Sequence, residues 1–178
     1  MAKSYSMLAV RGAASRAVAV AKSFLRSEDP EGRIHDVQED PRFQGRGIDL
    51  VWERSGGRLL GVEVKGDRQA GRRGTYFFEL VSNLEKDTPG CFLYTRAELL
   101  LYVFLQTLEV HHLPVPATRA WFLARAGGYP LRHARTRVGP EAYTTVGAVV
   151  PVREVLRAVA GARRVPRSAW EPGSQAAG

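Results

Sequence analysis

Apolar residues recur at three- and four-residue steps near the start of the chain: Met7, Val10, Ala14, Ala17, Val18, Ala21, Phe24 and Leu25. That is the period of a helix with one buried face, and it predicts a helix over residues 3–26. Lys3, Arg11, Arg16, Lys22 and Arg26 are interspersed, and the turn residues of 27–32 end it. A short strand is expected over 33–37, then a polar loop over 38–47. Two β-forming runs follow, 48–54 and 58–65, joined by Ser55-Gly56-Gly57. A three-residue connection containing glycine is a common hairpin form. Residues 66–74 read as a basic, glycine-rich loop.

A strand over 75–82 places Phe77, Glu79 and Val81 on one face and Tyr76, Phe78 and Leu80 on the other. Residues 91–94 read as another short strand. The run 97–105 is so apolar that periodicity alone does not separate a buried strand from a buried helix. A turn followed by a strand is favoured, because 109–113 looks like a strand returning beside it. A helix over 116–126, a strand over 142–150 and a closing helix over 151–160 complete the pattern. From Arg163 onward Pro, Gly, Ser and Ala predominate, which predicts a flexible tail. The reading is therefore one α/β domain over 1–162, a mixed central β-sheet flanked by helices, with a tail over 163–178. No internal repeat is present.

The hairpin carries the chemistry. Residue 56 is the midpoint of Asp49 and Glu63, so pairing about Gly56 sets these carboxylates opposite each other. Directly opposed side chains have Cβ atoms about 4.5–5.5 Å apart, and like charges there destabilise a sheet. A divalent cation between them reverses that sign. Lys65, two residues beyond Glu63, points to the same face. Mg²⁺ takes oxygen ligands, commonly one or two carboxylates with waters and substrate phosphate. Asp49, Glu63 and the backbone carbonyl of Val64 are the candidate ligands, with Mn²⁺ a substitute ion. Lys65 is the candidate for positioning the attacking water or neutralising the transition state. This combination points to phosphodiester hydrolysis.

Charge adds a partner. The net charge of +8 divides into +5 over residues 1–27, −4 over 28–110 and +7 over 111–178. An acidic centre between basic flanks suits a cation site within a polyanion-binding surface, and DNA is the expected partner. Arg68, Arg72 and Arg73 in the loop after Lys65 are the candidate phosphate contacts, and helix 3–26 and Arg132, Arg135 and Arg137 would extend the track. The single cysteine, Cys91, excludes an internal disulfide framework and a cysteine-rich zinc site, and it fits a cytoplasmic protein. No apolar run approaches the roughly 18 residues that span a membrane. Gly71-Arg72-Arg73-Gly74 lacks the Gly-Lys-Ser/Thr of a phosphate-binding loop. His111 and His112, adjacent on a strand, point to opposite faces and do not share a metal readily.

The Asp49 … Glu63-Val64-Lys65 arrangement, on consecutive strands after a helix, resembles the PD-(D/E)XK nuclease superfamily over roughly residues 1–105. Phe43-Gln44 before Gly47-Ile48-Asp49-Leu50, and Phe77-Phe78-Glu79 after the lysine strand, are similar to members of it as well. The resemblance implies a restriction-endonuclease-like fold and a Mg²⁺-dependent deoxyribonuclease, with Asp49 and Glu63 as metal ligands and Lys65 as the catalytic lysine. Two features depart from the pattern. Ile48 stands where the family name has Pro, and no Asp or Glu precedes Glu28, so the acid that many members carry on the first helix is missing. Glu79 is a candidate replacement if its strand sits beside that of Glu63; the competing role is an ion pair with an arginine. Gln44 either contacts water or substrate or caps its loop. Cutting both strands with one site per chain usually calls for two chains, which admits a homodimer. The alternative to a nuclease is a non-catalytic nucleic-acid-binding module on the same kind of fold.

Overall fold

The computed structural model describes residues 3–68, 74–138 and 140–171, with side chains from Arg11 onward. Two sheets and a long helix stack in three layers. The central sheet has six strands: β2 (Arg33–Asp36), β3 (Leu50–Glu53), β4 (Leu59–Asp67), β7 (Leu99–Phe104), β8 (Glu109–Pro114) and β11 (Arg163–Val165). Their spatial order is β11-β8-β7-β4-β3-β2. Only β4 and β7 run parallel, so the sheet is mixed. A second sheet has the order β1-β9-β10-β5-β6, from β1 (Lys3–Ser6), β5 (Thr75–Asn83), β6 (Thr88–Pro89), β9 (Leu131–Val138) and β10 (Glu141–Pro151). It is antiparallel except where β1 runs alongside β9.

Helix α1 (Met7–Glu28) lies on the outer face of the central sheet. Its buried residues Ala17, Val18, Ala21, Phe24 and Leu25 follow the helical period, and they meet Leu50, Trp52, Val62, Leu99, Leu101 and Val103. Contact with β4 is close. A Cβ on Gly66 would stand 2.8 Å from the Ala17 methyl carbon, so this glycine lets the helix settle onto the strand. At the C-terminus of α1 the buried Asp29 carboxylate accepts from the Ser55 N–H at 2.9 Å and from Arg54 Nε at 3.0 Å. The helix end thereby holds the β3–β4 turn, and these bonds keep the Asp29 pKa below its ordinary value, the Ser55 N–H contributing most.

The other face of the central sheet packs against the second sheet and four short helices. Leu100, Tyr102, Phe104 and Leu113 meet Tyr76, Phe78, Ala148 and Val150. This explains the unbroken apolar run of β7: all six of its residues are buried, alternately toward α1 and toward the second sheet. Of the short helices, α3 (Cys91–Tyr94) contributes Phe92, stacked on Phe78 at 4.2 Å, and α4 (Val115–Leu123) contributes Phe122. The others are α2 (Pro41–Gln44) and α5 (Val152–Ala158), and a further short helix, α6 (Arg167–Trp170), lies on the α1 side. Among the described residues no helix is long and apolar enough to cross a membrane.

Several expectations are corrected. Residues 91–94 form one helical turn and not a strand, because that turn drops Phe92 into the aromatic layer between the sheets. The helix expected from residue 3 is preceded by β1, and the basic segment 131–138 is a strand pairing with both β1 and β10. The second face of the mixed sheet is covered by a sheet as well as by helices. The segment expected to begin a flexible tail at Arg163 is built into the domain: β11 pairs with β8, and Trp170 is buried in the α1 core. Residues 172–178 of that expected tail lie outside the described residues.

Trp170→Ala should therefore cost about 3–5 kcal/mol, the usual cost of truncating a buried large aromatic. Urea unfolding measures it; a loss within the roughly 0.5 kcal/mol typical of surface changes would mean that Trp170 does not belong to the core.

Candidate active site

The hairpin register is the expected one. Leu50 pairs with Val62 and Glu53 with Leu59, and the ladder ends there, so Asp49 comes close to Glu63 without being its paired residue. Asp49 lies one residue before β3, where the strand has begun to leave the sheet. Its N–H donates to the Val62 carbonyl at 2.9 Å, and its carbonyl accepts from the Val37 N–H at 3.0 Å. Its carboxylate takes over the edge that β3 vacates: Oδ2 accepts the Val64 N–H at 2.7 Å. In a ladder a residue's N–H and C=O face the same neighbour, so the Val64 carbonyl projects from this same edge.

Along β4, Val62 and Val64 pack toward α1, while Glu63 and Lys65 point the other way, into the layer between the sheets. Glu63 is only 8% exposed. Burial, then the charge of Asp49, pushes its pKa up to about 8. Burial also raises the Asp49 pKa, partly offset by the Val64 N–H and by Lys65. Burial works against the charged form of Lys65, but the nearby carboxylates, Glu79 first among them, outweigh it and raise its pKa. Lys65 Nζ donates to Glu79 Oε2 at 3.0 Å.

Glu79 thus joins the site, though not by the expected route. The strand beside β4 is β7, and Glu79 arrives from β5 in the second sheet. Its ion pair is with Lys65, not an arginine. Two further residues were not singled out from the sequence as part of the site. The Cys91 thiol lines the same small space as Glu63, and burial pushes its pKa up, so it is neutral. Tyr94, at the end of the same turn, stands where burial and the charges of Glu63, Glu79 and Asp49 raise its pKa. No local pattern marks either one, because α3 reaches the site only through the docking of Phe92.

The other candidates separate. Gln44 is exposed, and its side-chain amide donates to the Gln38 carbonyl at 2.7 Å, tying its own loop. Arg68 is half-buried just beyond β4, whereas Arg72 and Arg73 lie outside the described residues. Arg132, Arg135 and Arg137 are exposed along β9. His111 faces the second sheet, where it meets Tyr76, and His112, its neighbour on the strand, points to the other side.

No protein-family model matches the chain, and neither a curated protein nor a solved structure is significantly similar to it. The site is therefore read from its own chemistry.

Among the described residues, no group of three or more His, Cys, Asp or Glu is placed to hold a metal ion. Two carboxylates and a carbonyl nevertheless fit a hard cation that completes its shell with waters and phosphate oxygens. The upward push on both Asp49 and Glu63 gives that fit a physical basis, since a cation between them would relieve it. The enclosed space beside Glu63, Lys65 and Glu79 is small, about 10 Å³. That is roughly room for one water.

With a chelator present, stability should fall as pH rises from about 4.5 toward about 8. In that window the unfolded Glu63 has lost its proton and the folded one keeps it, so the slope is negative; above it the slope vanishes. Urea unfolding from pH 5 to 9 measures this, and Glu63→Gln should flatten the profile. An unchanged slope in that variant would rule out Glu63 as its source.

Proposed function

We propose that the protein is a divalent-cation-dependent nuclease that hydrolyses DNA phosphodiester bonds at the Asp49–Glu63–Lys65 hairpin. The observation that carries the reading is that the hairpin about Gly56 brings two partly or fully buried carboxylates, Asp49 and Glu63, close enough to raise each other's cost of charge, with the Lys65 ammonium beside them. The order of α1, then a strand with an acid at its start, then a strand with Glu-x-Lys supports the likeness to PD-(D/E)XK nucleases and a restriction-endonuclease-like fold.

Asp49, Glu63 and the Val64 carbonyl would hold the cation, with Mg²⁺ the best match to hard oxygen donors and Mn²⁺ a substitute. When bound, it would neutralise the two carboxylates and supply Lewis acidity to the substrate phosphate. The Val64 N–H fixes the Asp49 carboxylate toward the strand edge. Lys65 offers positive charge where negative charge grows on the phosphate oxygens. Glu79 holds the Lys65 ammonium in place and keeps it protonated. α1 packs on the opposite face of the sheet, and Glu79, which reaches Lys65 from β5, is a further acid on the side of the site.

The basic flanks supply the polyanion surface. Arg11 and Arg16 are exposed on α1, which lies against β9 with its exposed arginines. Counterion release from such contacts makes binding salt-sensitive. A non-catalytic DNA-binding module is the second reading, favoured by the small enclosed space at the site and by the engagement of Lys65 with Glu79.

Labelled linear, nicked, branched and single-stranded DNAs incubated with Mg²⁺, Mn²⁺ or EDTA test both readings. Asp49→Ala and Glu63→Ala should abolish cleavage and metal binding. Lys65→Ala should lower cleavage by at least about 10²–10³-fold, the usual effect of removing one transition-state donor, while DNA binding persists. Undiminished cleavage by Lys65→Ala would sink the mechanism. Absence of Mg²⁺ or Mn²⁺ binding by calorimetry, with salt-sensitive DNA binding retained, would select the second reading.

A further inference from the structure

A cleft of about 670 Å³ opens at another place between the layers, where β7 ends and β5 begins. Its walls come from Phe104 and Thr107, from Thr75, from Val152, Arg153 and Leu156 on α5, and from β8 and β11. Among the described residues it shares no lining residue with the space beside Glu63 and Lys65. Its volume lies within the roughly 300–1,000 Å³ typical of small-molecule sites.

One wall is a polar chain that runs from the buried Tyr76 and His111 through Glu109 to the exposed Arg164. Tyr76 OH lies 2.5 Å from His111 Nδ1, and His111 Nε2 lies 2.6 Å from Glu109 Oε1. Glu109 Oε2 accepts from Arg164, at 2.7 Å from Nε and 2.6 Å from the terminal nitrogen. A single neutral tautomer satisfies every bond: His111 donates from Nε2 to the carboxylate and accepts the tyrosine proton at Nδ1. Burial lowers the His111 pKa, which agrees with a neutral ring.

The consequence is a pocket with donors to spare. Both Glu109 oxygens are occupied, and neutral His111 and Tyr76 have spent their protons on each other and on Glu109. Arg164 is held by its carboxylate but has more N–H groups than that carboxylate uses. Arg153, exposed at the rim, adds a second guanidinium. Two arginines against one carboxylate leave a net positive charge. Phe104, Pro151, Val152 and Leu156 form an apolar bed beside it.

We propose that this cleft is a binding site for a small organic anion, a phosphate monoester carried on an apolar or aromatic body. The guanidiniums of Arg164 and Arg153 take the phosphate, and the bed formed with Leu156 takes the body. Guanidinium groups suit phosphate because their N–H groups present in forks. The Tyr76–His111–Glu109 chain positions Arg164. The site stands independently of the hydrolytic reading.

Calorimetry on the full chain, in EDTA, tests it with four probes: inorganic phosphate, phenyl phosphate, adenosine 5′-monophosphate and adenosine. Phenyl phosphate and adenosine 5′-monophosphate should bind saturably at sub-millimolar concentration, and inorganic phosphate and adenosine at least tenfold more weakly. Preference for the nucleotide over phenyl phosphate would identify a nucleotide source, and equal binding a general aryl or alkyl phosphate. Arg153→Glu should weaken both at least tenfold, and Leu156→Trp, which fills the bed, should remove binding while the thermal melt stays cooperative. Lys65→Ala should bind as the unaltered protein does, which separates this site from the proposed nuclease centre. No saturable binding of either phosphate ester, or binding unmoved by both Arg153→Glu and Leu156→Trp, would overturn the proposal.

Discussion

Repulsion between Asp49 and Glu63 is the constraint that the surrounding structure answers. The hairpin brings the two carboxylates near each other, and the second sheet then removes Glu63 from water. Each step alone raises the cost of charge, and together they push Glu63 far above the usual carboxylate range. The neighbours are the kinds of group that such a site needs. A backbone N–H supports Asp49, a neutral thiol lies beside Glu63, and an ammonium is close by, balanced by a third carboxylate from another sheet. A surface hairpin would need none of this, because water would screen the pair.

The layered architecture keeps those groups in place. β4 is gripped on one face by α1, close enough that Gly66 has no room for a side chain, and on its edge by the fully buried β7. Glu63 and Lys65 therefore project from a rigid strand. The opposing wall is held by aromatic packing: Tyr76, Phe78, Phe92, Tyr102 and Phe122 form a continuous set of ring contacts. Tyr102 links this wall to the strand that carries the site, since its hydroxyl donates to Asp67 at the end of β4 and accepts the Phe77 N–H of β5. Tyr76 continues the same layer to His111 and the basic cleft. The layer between the sheets thus carries a carboxylate-rich site and, elsewhere along it, a cleft with arginines at its rim, the two separated by stacked rings.

Much of this was legible in the residues, and the rest had identifiable reasons for being hidden. The helical period of 17–25, the turn at Gly56 and the alternation of 75–82 each reflect local geometry, and each element forms where that geometry predicts. Residues 91–94 failed because four apolar residues carry too short a pattern, and the need to fill a gap beside Phe78 decided their shape. Composition misdirected the reading of the C-terminus. Its Pro, Gly and Ser suggest a mobile tail, yet Val165 and Trp170 are apolar residues with a core to enter, and the edge of β8 was open for Arg163–Val165 to pair with.

The residues alone specify the hairpin, its register over 50–53 and 59–62, and the face shared by Glu63 and Lys65, because strand alternation and a short turn depend only on neighbours along the chain. Tertiary structure alone decided that Glu79 would meet Lys65, that Cys91 would reach Glu63, and that His111 would join Tyr76 to Glu109 and Arg164. Those partners lie on different strands, helices or sheets, and their meeting depends on how whole layers pack. Burial has the same origin: a carboxylate's place in the sequence does not say how much water it will lose, and that loss is what sets its charge.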